Sequence, residues 1–194
     1  MNNINLTVKI ERAISELRRG GKLVVSDIDS GICVLLFAAE LINNETVQNL
    51  SEHSLSRPNI ILSANRSNAI GINVKDQPSS ILIQKQWSIN DILSLCMPLY
   101  GYKRPAINGV ILENNNSVVS LCLLVLRQAR LLPAGLMSII SSVTIENINE
   151  WAFKNDFLHV EANDIKSYES SHADGLIMSV KARVPIAYTD NCEI

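Results

Sequence analysis

Apolar residues recur at helical spacing from Val8 to Arg19, where Ile10, Ile14 and Leu17 fall at i, i+4 and i+7 on one stripe. Gly20-Gly21 follows and supplies the residue type that helix C-termini favour. Lys22 to Val25 then reads as a strand. The longer stretch VVSDIDSGICVLLFAAE, Val24 to Glu40, passes through Asp27 and Asp29 before turning apolar again. Asn44 predicts an N-cap for a helix running to about Leu55, with Glu45 near its positive end. Asn59 to Ser63 is the next strand.

Ser79 to Lys85 has strand composition, and Ser88-x-x-Asp91 ahead of Ile92, Leu93 and Leu95 has the form of a capping box that opens a short helix. Pro98, Gly101 and Pro105 mark irregular chain. Ile107 to Leu112 predicts a strand, and Asn114, Asn115, Asn116 and Ser117 offer capping side chains for a long apolar helix ending near Arg130. Pro133-Ala134-Gly135 closes that unit. Leu136 to Ser142 is a further strand, Thr144 to Asn155 a helix with Ile148, Trp151 and Ala152 on one face, Phe157 to Val160 a strand and Ala162 to Ser170 a helix. From Ser171 to Gly175 the pattern loosens. Helices and strands alternate without repeat or linker, which predicts one α/β (α+β) domain over residues 1–175, a mixed sheet with flanking helices, and a tail at 176–194.

The charge balance of 17 basic against 19 acidic residues leaves no basic footprint, so no nucleic acid is expected as a partner. The longest apolar stretch, Val118 to Leu126, is broken by Ser120 and falls far short of the ~18–20 residues that cross a bilayer. No membrane association is expected, and the widely spaced cysteines, without a C-x-x-C, fit a reducing cytoplasmic setting better than a zinc site or a disulfide framework. Cys33, flanked by Ile32, Val34 and Leu35, reads as a small buried hydrophobe, and Cys122 as core. His53, His159 and His172 stand beside no candidate nucleophile and read as surface or packing residues. Trp87, Tyr100 and Tyr102, around the irregular chain, read as packing residues in preference to a cleft lining.

Four stretches, in order, resemble the 3,4-dihydroxy-2-butanone 4-phosphate synthase family of riboflavin biosynthesis. They are IERAISELRRGGKLVVSD running to LLFAAE, NIILSANRSNAIG, NGVILENNNSVVSLCLLVLRQARLLPAG and NEWAFKNDFLHVEANDIKSY. The tail VKARVPIAYTDNCEI is similar to the point at which two-domain members enter a GTP cyclohydrolase II half, and the region from Gly71 to Ser88 is short by comparison. The resemblance implies the synthase fold, a homodimer, and a Mg²⁺-dependent lyase converting ribulose 5-phosphate to the four-carbon phosphate and formate.

The residues at the matched positions depart from that chemistry. Magnesium needs hard anionic oxygens. The family's acidic loop, Asp-Asp-x-Asp-Arg-Glu-Asn-Glu-Gly-Asp, is matched here by Ser26-Asp27-Ile28-Asp29-Ser30-Gly31-Ile32-Cys33-Val34, which keeps only Asp27 and Asp29. Two readings follow for this pair: a surviving metal grip, with Glu40 as a further carboxylate, or a strand-end turn shaped by hydrogen bonds to the local backbone. The second is adopted.

The family's Arg-x-Gly-His-Thr is matched by Glu113 to Ser117, so the histidine position falls at Asn116 and a glutamate replaces the arginine. Asn115, Asn116 and Ser117, at a helix start, are the residual phosphate-binding candidates, and Asp27, Asp29 and Asn116 the residual catalytic ones. Ser94-Leu95-Cys96-Met97-Pro98-Leu99 replaces a family Arg-Pro-Gly-His segment, and a family glutamate falls on Ile139. The expectation is a pseudoenzyme that keeps the fold and acts through a partner, an active riboflavin-pathway enzyme, with no cofactor assigned to it. The alternative is a working lyase with Mg²⁺ held by Asp27 and Asp29.

Overall fold

A computed structural model describes residues 3–52, 57–98, 103–113, 117–173, 183–186 and 189–193. Helix α1 spans Asn3–Arg18 and buries Ile10, Ala13, Ile14 and Leu17, the predicted stripe on a longer helix. Its end is a Schellman motif: the Gly21 N–H bonds the Glu16 carbonyl, the Gly20 N–H bonds that of Leu17, and Gly20 has φ of 84°.

Strands β1 (Leu23–Asp27) and β2 (Ile32–Ala38) form an antiparallel hairpin closed by the turn Ile28 to Gly31. A 3-10 turn, Ala39–Leu41, leads to α2 (Asn44–Glu52), whose cap is not the predicted Asn44 but Asn43. The Asn43 Oδ1 accepts from the Thr46 N–H at 2.8 Å. An Asx side chain caps the third residue after it, and Thr46 completes that geometry only from position 43.

Strand β3 (Asn59–Leu62) stops one residue earlier than predicted because the Ser63 hydroxyl caps α3 (Ala64–Ala69). After β4 (Ser79–Leu82), the predicted capping box is present: Ser88 and Asp91 exchange side-chain-to-backbone bonds at the start of α4 (Ile89–Cys96). Strand β5 is short (Val110–Leu112), and α5 (Val118–Gln128) is buried on several sides.

Pro133-Ala134-Gly135 does not close the helix unit; Ala134 and Gly135 already belong to β6 (Ala134–Ile139), which ends before the predicted Ser142. A Cβ on Gly135 would stand 2.7 Å from the Phe37 carbonyl oxygen, so the glycine is there for close strand approach and not as a breaker. The chain then runs through a 3-10 turn at Ile145–Asn147, α6 (Ile148–Lys154), β7 (Leu158–Glu161) and α7 (Ala162–Ala173). Residues 171–173, predicted to loosen, are the last residues of α7. Strands β8 (Arg183–Ile186) and β9 (Thr189–Glu193) pair with each other as a separate ribbon.

The seven-stranded sheet has the order β5-β4-β3-β6-β2-β1-β7, antiparallel throughout except between β1 and β7. Helices α1, α5 and α7 pack on one face; α2, α4 and α6 pack on the other. The α/β class with a mixed sheet and flanking helices is therefore the observed one.

Two polar devices tie the layers. The Arg66 guanidinium, on α3, donates to the carbonyls of Ser94, Leu95 and Met97 at 2.7–2.9 Å, which satisfies the open C-terminus of α4. At the other sheet edge, the Ser26 hydroxyl of β1, with 1% exposure, lies 2.7 Å from the His159 Nε2 of β7, while His159 Nδ1 meets the Asn149 Oδ1 of α6. The amide oxygen can only accept, so Nδ1 carries the proton and Nε2 accepts from Ser26. Burial first, then the nearby Lys9 ammonium, hold His159 down to about 4, against the opposing pull of Asp164.

Replacing Arg66 by methionine strands three carbonyls and is expected to lower stability by about 2 kcal/mol, read from urea unfolding. The His159 pKa is lower folded than unfolded, so the unfolded chain takes up protons first as pH drops. Stability should fall as pH decreases from about 6.5 towards 4. Melting curves across that window should flatten in His159→Gln; an unchanged pH slope would contradict the assignment.

Candidate functional site

The β1–β2 turn is where sequence matching puts the acidic loop. Asp27 ends β1 opposite Ile32 and is only 6% exposed. Its carboxylate accepts the Ser30 Oγ–H at 2.7 Å, and the same hydroxyl lies 3.4 Å from the Asp27 carbonyl. Gly31, with φ of 69°, returns its N–H to the Ile28 carbonyl and closes the turn. The polar-turn reading is seen for Asp27 alone, and there the donor is the Ser30 side chain, not the backbone. Asp29 is exposed in the turn, and its side chain has no hydrogen bond or ion pair among the described residues.

Beyond the turn, Cys33 to Ala38 are buried. Burial pushes the Cys33 thiol up, away from the thiolate that a nucleophile needs. Glu40 lies two residues past the far end of β2, about 20 Å of strand from the turn, and its carboxylate accepts the Leu132 N–H at 2.6 Å. The structure does not bring Glu40 to Asp27 and Asp29. Among the described residues, no three His, Cys, Asp or Glu side chains converge to hold a metal. Of the two aspartates, Asp27 is buried and engaged by Ser30, while Asp29 is exposed.

Ser117 is the N-cap of α5, its hydroxyl accepting the Ser120 N–H at 3.4 Å. Asn114, Asn115 and Asn116, together with His53, Tyr100 and Tyr102 and the side chain of His172, lie outside the described residues. Glu113 does not point to an anion site: the Ser80 hydroxyl donates to it at 2.7 Å beside the β4–β5 ladder. Ile139, on the family's glutamate position, pairs with Val34 and is 46% exposed. Ser94, Leu95 and Cys96 are buried in the last turn of α4, with the Cys96 thiol pushed up to about 12 by burial.

Sequence reasoning missed the Ser26–His159–Asn149 chain, because the β1–β7 pairing joins Ser26 to His159 and the packing of α6 on β7 adds Asn149. It resembles a nucleophile–base–orienter array in connectivity. With Ser26 buried, it works as a structural tie instead. A cleft of about 440 Å³ beside α5, lined by Ser63, Asp76, Ser120, Arg127, Lys166 and Glu169 among others, contains none of the expected site residues among those described.

No protein-family model matches the chain, and no curated protein sequence matches it. Solved structures do. A 3,4-dihydroxy-2-butanone 4-phosphate synthase of Candida albicans aligns with a TM-score of 0.67 at 18% identity, over 82% of this chain and 96% of that one. A synthase in complex with two magnesium ions gives 0.67 at 14% identity, over 86% and 99%. A two-domain synthase from A. baumannii gives 0.67 at 13% identity; 91% of this chain is covered, and the match spans 60% of that protein. At these identities the likeness is one of architecture: the chain has the fold of the 3,4-dihydroxy-2-butanone 4-phosphate synthases.

Proposed function

We propose that this protein is a riboflavin-biosynthesis-related relative of the synthase that has lost the lyase chemistry and acts by binding. The observation that carries the reading is the fate of the acidic loop. After the exposed turn residues Ser30 and Gly31 the chain enters β2, partly buried at Ile32 and buried from Cys33, so Cys33 and Val34, at the end of the segment matched to the family's further carboxylates, are core. Sugar phosphates and divalent ions need converging charge. The turn offers two carboxylates and no basic side chain, and Glu113 stands where an arginine would grip phosphate.

The same end of the sheet presents aliphatic side chains to solvent: Ile28 at 57%, Ile139 at 46% and Leu82 at 42% exposure. Such residues favour a protein partner over a charged metabolite. The partners proposed are a second copy of the chain and an active riboflavin-pathway synthase or cyclohydrolase.

Incubation of the purified protein with ribulose 5-phosphate and Mg²⁺ should release no formate above an Asp27→Ala, Asp29→Ala variant. Sustained release that the double substitution abolishes would establish the lyase instead. Mixing with either enzyme should give a hetero-oligomer by light scattering, weakened in Ile28→Glu, Ile139→Glu; failure to associate with both enzymes would remove the partner role.

A further inference from the structure

A second cleft, on the sheet face opposite α5, combines an apolar floor with uncompensated positive charge. Strand β4 ends at Leu82, and the Ile83 N–H extends the ladder by one bond to the Pro58 carbonyl. A tight turn then closes with the Trp87 N–H on the Gln84 carbonyl at 3.1 Å, and the capping box at Ser88 aims α4 away from it. This returns Trp87 and Ile89 across from Val47 of α2, with buried Ile83 and Ile92 beneath, around a volume of about 360 Å³. That lies within the ~300–1,000 Å³ typical of small-molecule pockets.

Arg57 and Lys85 line the same cleft, and among the described residues no carboxylate does. The nearby acids are otherwise engaged: Asp91 accepts from the Ser88 N–H and hydroxyl, and Glu52 reaches the Gln48 amide. Neither cation forms an ion pair among the described residues. The cleft beside α5 differs, since its Arg127 pairs with Glu169 and Lys166 is accompanied by Asp76. In a chain of net charge -2, two unmatched cations above an indole and four aliphatic side chains are a selective environment.

We propose that the cleft between α2 and α4 binds a small amphipathic anion, an aromatic or branched apolar body carrying a carboxylate or phosphate. The body stacks on Trp87 over Ile83, Ile89 and Ile92, and the anionic head meets Arg57 and Lys85. This goes beyond the partner-binding reading and does not depend on it, because none of these residues belongs to the β1–β2 turn.

The probe is 2-naphthoate, compared with the neutral isostere 2-naphthalenemethanol, titrated into the full chain. The readout is the Trp87 indole N–H resonance, assigned by its disappearance in Trp87→Phe. Naphthoate should give a saturable shift. Binding should be about tenfold weaker for the alcohol and for Arg57→Ala, Lys85→Ala, and recovered in Arg57→Lys, Lys85→Arg. Added salt should weaken naphthoate and leave the alcohol unchanged, a comparison within the native sequence that does not rely on any variant folding. Absence of a saturable shift, equal affinity for acid and alcohol, or salt-independent naphthoate binding would overturn the proposal.

Discussion

Residues Cys33 to Ala38 of β2 lie between two layers of helices. Val34, Leu36 and Ala38 join the cluster formed with α1, α5 and α7, while Cys33, Leu35 and Phe37 join the one formed with α2, α4 and α6. A strand covered on both faces has no position for an unpaired carboxylate, whose burial costs several kcal/mol. Apolar side chains at these sites instead contribute on the order of 1.5–3 kcal/mol each where fully buried. The sheet's interior and a carboxylate-rich loop at this point of the chain are therefore competing uses of the same residues, and here the interior has them.

The pairing around β2 follows from that choice. Its neighbour β6 approaches closely enough that Gly135 has no room for a side chain against Phe37, and the hairpin with β1 draws Asp27 into the edge of the core. A partly withdrawn carboxylate needs a donor, and Ser30, three residues on, supplies it within the turn. The serine satisfies locally what a metal ion could otherwise neutralise.

Much of this architecture was legible in the sequence, for identifiable reasons. The Ile10-Ile14-Leu17 stripe, the Ser88-Asp91 capping box and the apolar run from Val118 to Leu126 each express one local rule strongly, and each lies where it was expected. The misassigned residues obey rules that need tertiary partners. Gly135 looks like a helix stop until Phe37 is placed across from it, and Asn44 reads as the cap until the Thr46 N–H is found on the Asn43 side chain. At the candidate site, the polar-turn role of Asp27 was readable, but the remoteness of Glu40 was not, because it depends on β2 being extended along its whole length. The tie of Ser26 to His159 joins residues 133 apart, and no spacing within the chain announces it.

Charged side chains on this scaffold fall into those committed to local contacts and those left free among the described residues. Glu40 holds a backbone N–H, Glu113 accepts from Ser80, Asp91 closes a helix cap, and Arg66 serves three carbonyls. Groups committed in this way cannot also stabilise a developing charge, since moving them exposes the partners they satisfy. Among the described residues, Arg57 and Lys85 carry no such commitment and share a cleft with an indole and no carboxylate. Recognition asks only for complementary charge and apolar area in the ground state, whereas catalysis asks for groups aimed at a transition state. Among the described residues, the uncommitted cations Arg57 and Lys85 meet the first requirement.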